Sequence, residues 1–187
     1  MSAEKRRARP QAPGTSTSRD VESIIRVDHA GEYGAVRIYE GQLAVMRARP
    51  QSQATTEIIE RMAEQEQRHL DAFDKLINER RVRPTALEPV WRVAGFALGA
   101  ATALMGEKAA MACTAAVEEV IDEHYARQIE RLDDAPLKKA ITEFRADEIA
   151  HRDEAIAHGA EQAPAHRLLS GAIKAGCRLA IALSERI

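Results

Sequence analysis

Four stretches of the chain place apolar residues at the three-four spacing of a single helix face. The first runs Ile25, His29, Glu32, Val36, Tyr39, Leu43, Met46, and the second Ile59, Met62, Glu66, His69, Phe73, Leu76. The third runs Met111, Thr114, Glu118, Ile121, Tyr125, and the fourth Leu137, Ile141, Phe144, Glu148, His151, Ala155. Such spacing marks the seam of a helix turned toward a core. Breakers and caps set the ends. Ser18 and Asp20 are good N-cap types, Pro50 closes the first stretch, and Pro84 disfavours helix at Arg83. The pattern predicts helices over about 20–49, 53–80, 107–132 and 136–160.

Each seam is interrupted by a carboxylate. An ionised carboxylate on a buried face costs several kcal/mol unless something compensates it. Two of the four are followed by histidine one helical turn later, as Glu66-x-x-His69 and Glu148-x-x-His151. The bare motif is weak, since random order of this composition yields roughly 0.6 such pairs. Seam position sharpens it. The order Glu32, Glu66-x-x-His69, Glu118, Glu148-x-x-His151 is the ligand set of di-iron and di-manganese carboxylate bundles. Four carboxylates balance two divalent ions, and neutral imidazoles complete the shell without adding charge. Oxygen and nitrogen ligands without thiolate suit iron or manganese. Glu66 and Glu148 would bridge, with Glu32 and Glu118 terminal. Each half of the chain supplies Glu and then Glu-x-x-His, a weak internal duplication. Low coordination leaves room for dioxygen, which favours redox chemistry.

Ligating histidines need a partner for their second nitrogen, and Asp28, Asp122 and Asp147 stand at suitable helical offsets. Tyr125 and His124 are expected to line an oxygen or substrate pocket; His29, His158 and His166 are read as non-ligands.

Composition narrows the classes. With 187 residues, 30% charged and 4% aromatic, the chain can build one sizeable core and reads as all-α. A net charge of −2 without a basic stripe argues against nucleic acid. Cys113 and Cys177 lack metal or redox spacing and read as small buried thiols. Residues 1–19 read as a disordered basic tail, and 20–187 as one di-iron domain.

Two segments lie outside the four seams. Residues 89–106 carry no charge from Val93 to Gly106, yet are too short to span a bilayer, which takes about 20 helical residues. Residues 165–185 are apolar, with Lys174 and Arg178 on the edges and Arg186 just beyond. Both are expected to face a membrane surface, with Trp91 a headgroup anchor.

Several strings resemble the demethoxyubiquinone hydroxylase family: RVDHAGEYGAVRIYEGQ (26–42), EQEQRHL (64–70), RVRPT (81–85), FALGAATALMG (96–106), AMACTAAVEE (110–119) and AGCRLAIALSERI (175–187). The likeness covers nearly everything after residue 20, with departures from some relatives at Val36 and Glu40. It implies a ferritin-like four-helix bundle with added interfacial helices, and a peripheral membrane monooxygenase of ubiquinone biosynthesis. The implied substrates are dioxygen and a polyprenylated benzoquinol lacking one ring hydroxyl. The implied ligands of two iron ions are Glu32, Glu66, His69, Glu118, Glu148 and His151. It selects Glu118 over Glu119, as the seam does. The expected location is the cytoplasmic face of a bacterial inner membrane, or else the matrix side of the mitochondrial one. A homo-oligomer or an accessory lipid-binding partner is compatible with this reading. No Rossmann or flavin fingerprint occurs, and the expected external reductant is NADH, a flavoprotein or the quinol itself. The rival readings are a ferroxidase or iron-binding protein on the same bundle, and a di-iron hydroxylase of another substrate.

Overall fold

The structure, a computed structural model, describes residues 18–49 and 53–187. Most of the predicted tail and Pro50 lie outside the described residues. Six helices follow: α1 (Ser18–Ala48), α2 (Gln53–Arg80), α3 (Glu88–Leu104), α4 (Glu107–Arg131), α5 (Ala135–Ala157) and α6 (His166–Ser184). No strand occurs among the described residues.

Helices α1, α2, α4 and α5 form a ferritin-like bundle. The short α1–α2 and α4–α5 connections make antiparallel neighbours, and the α2–α4 crossover runs through α3. The seams are buried almost throughout. The exceptions are Phe144 on α5, which is half-buried, and the end of α2, where Ile77 is buried and Leu76 only half-buried. Ile77 lies 18 residues after Ile59, about five turns of a straight helix, so it returns to the same side. The strict three-four count drifts away from that side. The core forms two apolar clusters, one including Ile25, Phe73, Leu132, Leu137 and Ile141, the other Met46, Ile59, Met62 and Met111. On α1, α2 and α5 the carboxylates fall between them.

Helix α5 stops earlier than predicted. Gly159 takes φ +86°, a conformation favoured by glycine, and a single 3-10 turn (Ala160–Gln162) follows. At its start, Asp134 Oδ1 accepts from the Leu137 amide at 3.1 Å, and Pro136 stands in the first turn.

Helices α3 and α6 cover the bundle. A methyl at Gly99 would collide with the Ile38 carbonyl of α1, one at Gly95 with the Gly34 carbonyl, and one at Gly41 with the Phe96 carbonyl of α3, so three glycines set the close α1–α3 approach. Helix α6 is fastened to α4 by Lys174–Glu119 at 2.5 Å and Arg178–Glu123 at 3.0 Å. Trp91 Nε1 donates to Ser184 Oγ at 3.0 Å, joining α3 to α6. The indole expected to anchor a headgroup is therefore engaged inside the fold. Two of the cations read as edges, Lys174 and Arg178, are paired with α4, though Arg178 stays 51% exposed. Exposed apolar side chains remain on both helices, among them Val93, Phe96 and Leu104 on α3 and Leu168 and Leu179 on α6. No helix among the described residues is long and apolar enough to cross a membrane.

Candidate metal centre

The bundle brings Glu32, Glu66, His69, Glu118, Glu148 and His151 together in its core. Ligand atoms of Glu32, Glu66, His69 and Glu148 lie within 4.8 Å of one another, as do those of Glu66, Glu118, Glu148 and His151. Two overlapping groups that share Glu66 and Glu148 are the arrangement of a two-ion site with those carboxylates between. All six residues are at most 2% exposed.

The donor set tests whether metal fits. Both oxygens of Glu66 and of Glu148, one each of Glu32 and Glu118, and Nδ1 of both histidines are buried without a hydrogen-bond partner. Native folds rarely leave so many such atoms in one place. They converge on the space among the helices, with His69 Nδ1 3.2 Å from Glu148 and His151 Nδ1 3.1 Å from Glu66. Two divalent ions would satisfy the orphaned atoms and cancel the charge. The residues fit.

Electrostatics show the strain that metal would relieve. Burial, and then repulsion from Glu148, hold Glu66 and Glu118 well above the usual carboxylate range. Burial also raises Glu148, against the opposing pull of the His69 ring 3.2 Å away. Burial lowers His69, but its contacts with Glu148 and Glu32 outweigh that and raise it to about 12.

Two tyrosines complete the carboxylate layer. Tyr39 donates to Glu118 Oε1 at 2.6 Å, and Tyr125 donates to Glu32. Tyr39 sat on a seam but was not expected at the site; the signal available was its place two turns beyond Glu32. Of the three aspartates expected behind the histidines, only Asp147 is there, 3.0 Å from His69 Nε2. Asp122 instead accepts from Arg145 and Arg152, and Asp28 contacts Gln128 and His124. The partner of His151 Nε2 is Gln65, at 3.1 Å. His29 turns to Asp74 at 2.9 Å, and His158 to the Glu154 carbonyl of its own helix.

A cavity of about 550 Å³ opens beside the cluster between α1, α3, α4 and α6. Its walls are apolar, with Ile38, Leu98, Val117 and Ile173 among them, and its polar lining includes Glu32, Tyr125, Asp28 and His124. His124 Nε2 lies 2.8 Å from Gln128 Nε2, and Gln128 donates to Asp28 at 2.7 Å. Asp28 is held above its ordinary range by burial. Cys177 lines the same cavity, and burial pushes its thiol up to about 11. Cys113, fully buried, is pushed up to about 12 by the same cause. Neither thiol joins the carboxylate cluster, and both cysteines are free.

The profile of the family described as "Ubiquinone biosynthesis protein COQ7" matches residues 19–184. The chain belongs to this family. It is 55% identical over 186 residues to the 3-demethoxyubiquinol 3-hydroxylase of Rhodospirillum rubrum, covering 98% of this chain and 86% of that protein. It is 51% identical to the human protein named NADPH-dependent 3-demethoxyubiquinone 3-hydroxylase, mitochondrial, covering 89% of this chain and 78% of the relative. The 5-demethoxyubiquinone hydroxylase of Saccharomyces cerevisiae, also mitochondrial, is 40% identical, with the same coverage.

Proposed function

We propose that this chain is a di-iron monooxygenase that hydroxylates the ring of demethoxyubiquinol with dioxygen, a step of ubiquinone biosynthesis. The observation that carries the reading is a buried Glu and His cluster, rich in orphaned ligand atoms, beside an apolar cavity. The names of the relatives supply the substrate. Glu32 and His69 would hold one ion, Glu118 and His151 the other, with Glu66 and Glu148 between them. Two bound iron ions supply the reduction of dioxygen and the transfer of one of its atoms to the ring, with two electrons from an external reductant. The mammalian relatives are named NADPH-dependent, so a nicotinamide nucleotide is the reductant we propose.

The chain's own residues hold and shield. Tyr39 and Tyr125 fix the terminal carboxylates through their hydroxyl donors. The Asp28, His124 and Gln128 network offers a ring hydroxyl polar partners in an otherwise apolar cavity. His124 and Tyr125 are the residues assigned to contact the ring. The apolar walls take the polyprenyl tail and keep water from the ions.

A substrate dissolved in lipid calls for a peripheral site on the inner membrane, cytoplasmic in a bacterium or on the matrix side in a mitochondrion. The exposed Phe96, Leu104, Leu168 and Leu179 of α3 and α6 support that placement, since both helices also wall the cavity. The docking surface rests first on these apolar side chains, since Lys174 and Arg178 already pair with carboxylates of α4 and the Trp91 indole N–H with Ser184. An iron-storage role on the same bundle leaves the cavity unexplained.

The test is anaerobic loading with ferrous iron, then addition of a short-tail demethoxyubiquinol, dioxygen and NADPH. The expected result is about two iron ions per chain and a hydroxylated quinol by mass spectrometry. No product with iron fully loaded refutes the function and spares the fold.

A further inference from the structure

The two ligating histidines are held by chemically different partners, in a reciprocal exchange between α2 and α5. His69 of α2 meets Asp147, the residue before Glu148. His151 of α5 meets Gln65, the residue before Glu66. The position preceding the carboxylate of each Glu-x-x-His pair therefore serves the histidine of the other helix. In each histidine the inner nitrogen, Nδ1, is orphaned beside the carboxylates and the outer one, Nε2, is the one held. With Nδ1 as the ligating atom, the proton sits on Nε2 and is donated outward. Asp147 accepts it as a carboxylate and Gln65 as a neutral amide. A charged acceptor makes a hydrogen bond about twice as strong and leaves the imidazole a better donor to its ion.

The cavity breaks the two-fold symmetry in the same sense. Of the six cluster residues, Glu32 lines it, and Glu32 shares its group with His69. The site backed by Asp147 is thus the one that faces the cavity.

We propose that Asp147 is a positioning residue that makes the two ion sites inequivalent. The ion of Glu32 and His69, next to the cavity, is bound more tightly and by a more electron-rich imidazole than the ion of Glu118 and His151. This rests on the di-iron reading above. Asp147 is 43% exposed, so its replacement by the isosteric amide leaves core packing alone.

The experiment is anaerobic ferrous binding to the full chain, followed by Mössbauer spectroscopy of the loaded protein. The wild type should bind two ions with separable affinities and show two quadrupole doublets of equal area. Asp147→Asn should weaken the tighter ion by about 10- to 100-fold, leave the other unchanged and draw the doublets together. Gln65→Glu should tighten the weaker ion and also draw the doublets together. Circular dichroism checks that both variants keep their helix content. Equivalent ions in the wild type, or an Asp147→Asn protein that binds and absorbs as the wild type does, overturns this proposal alone. A wild-type chain that binds no iron overturns the di-iron reading and this proposal with it.

Discussion

Glu66 and Glu118 occupy positions where a leucine would pack without penalty, and burial with mutual repulsion drives both toward the neutral form. Such residues make sense as ligands rather than as structure. Glu66→Ala should retain helix content, and iron measured by plasma emission should fall well below two ions per chain. Tyr125→Phe removes the donor to Glu32 and a cavity contact while keeping the ring. Turnover should fall at least tenfold, with iron content kept, in a product assay on the loaded enzyme. A structural residue behaves differently. Asp134 is held below its usual carboxylate range by Arg80, against the opposing pull of burial and with help from the Leu137 amide. A depressed folded-state value means the stabilisation is present above about pH 4 and is lost as pH falls through that value. Asp134→Ala should therefore cost about 1 kcal/mol at pH 7 and less at pH 3, read from urea midpoints at both.

At the scale of elements, the four bundle helices were legible because each carries a long apolar seam. The α2 bounds expected from Pro84 and the seam coincide with Gln53–Arg80. Where one glycine decided the outcome, the reading ran long, as at Gly159, because a helical pattern can continue in residues beyond the turn that ends it. The clustering of the six Glu and His residues was legible, since the spacing puts all six side chains on buried faces. Their cross-helix partners were not. Gln65 and Asp147 reach histidines on another helix, and no spacing along one helix shows which neighbour lies across from it. The α1–α3 seam was equally invisible, because close approach through Gly41, Gly95 and Gly99 leaves no apolar signature. Gly99→Val should push α3 away from α1 and destabilise the protein by about 1–3 kcal/mol. A thermal melt checks it, and an unchanged midpoint would show that the helices separate freely.

The whole molecule joins a dry polar centre to an apolar cavity whose walls are also the outer helices. That continuity lets α3 and α6 cover the bundle and, in the proposed reading, present their exposed apolar side chains to lipid. The sequence pointed to lipid through composition, and it did not show that Trp91 bonds Ser184 or that Lys174 and Arg178 pair with carboxylates of α4. Phe96→Glu with Leu179→Glu, both at exposed positions, should release the protein from liposomes in a flotation assay while the melting temperature holds. Unchanged flotation removes the membrane surface from the account. Iron that binds only the folded chain adds stability by mass action, so chelation should lower the melting temperature. The central claim is that iron in this cluster puts an atom of dioxygen on the quinol ring. Isotope tracing tests it most directly: the iron-loaded chain, a short-tail demethoxyubiquinol and NADPH are incubated under labelled dioxygen, and the product is weighed by mass spectrometry. The account predicts one labelled oxygen in the new ring hydroxyl. A hydroxyl labelled from water, or no hydroxylated product from a fully loaded chain, contradicts it.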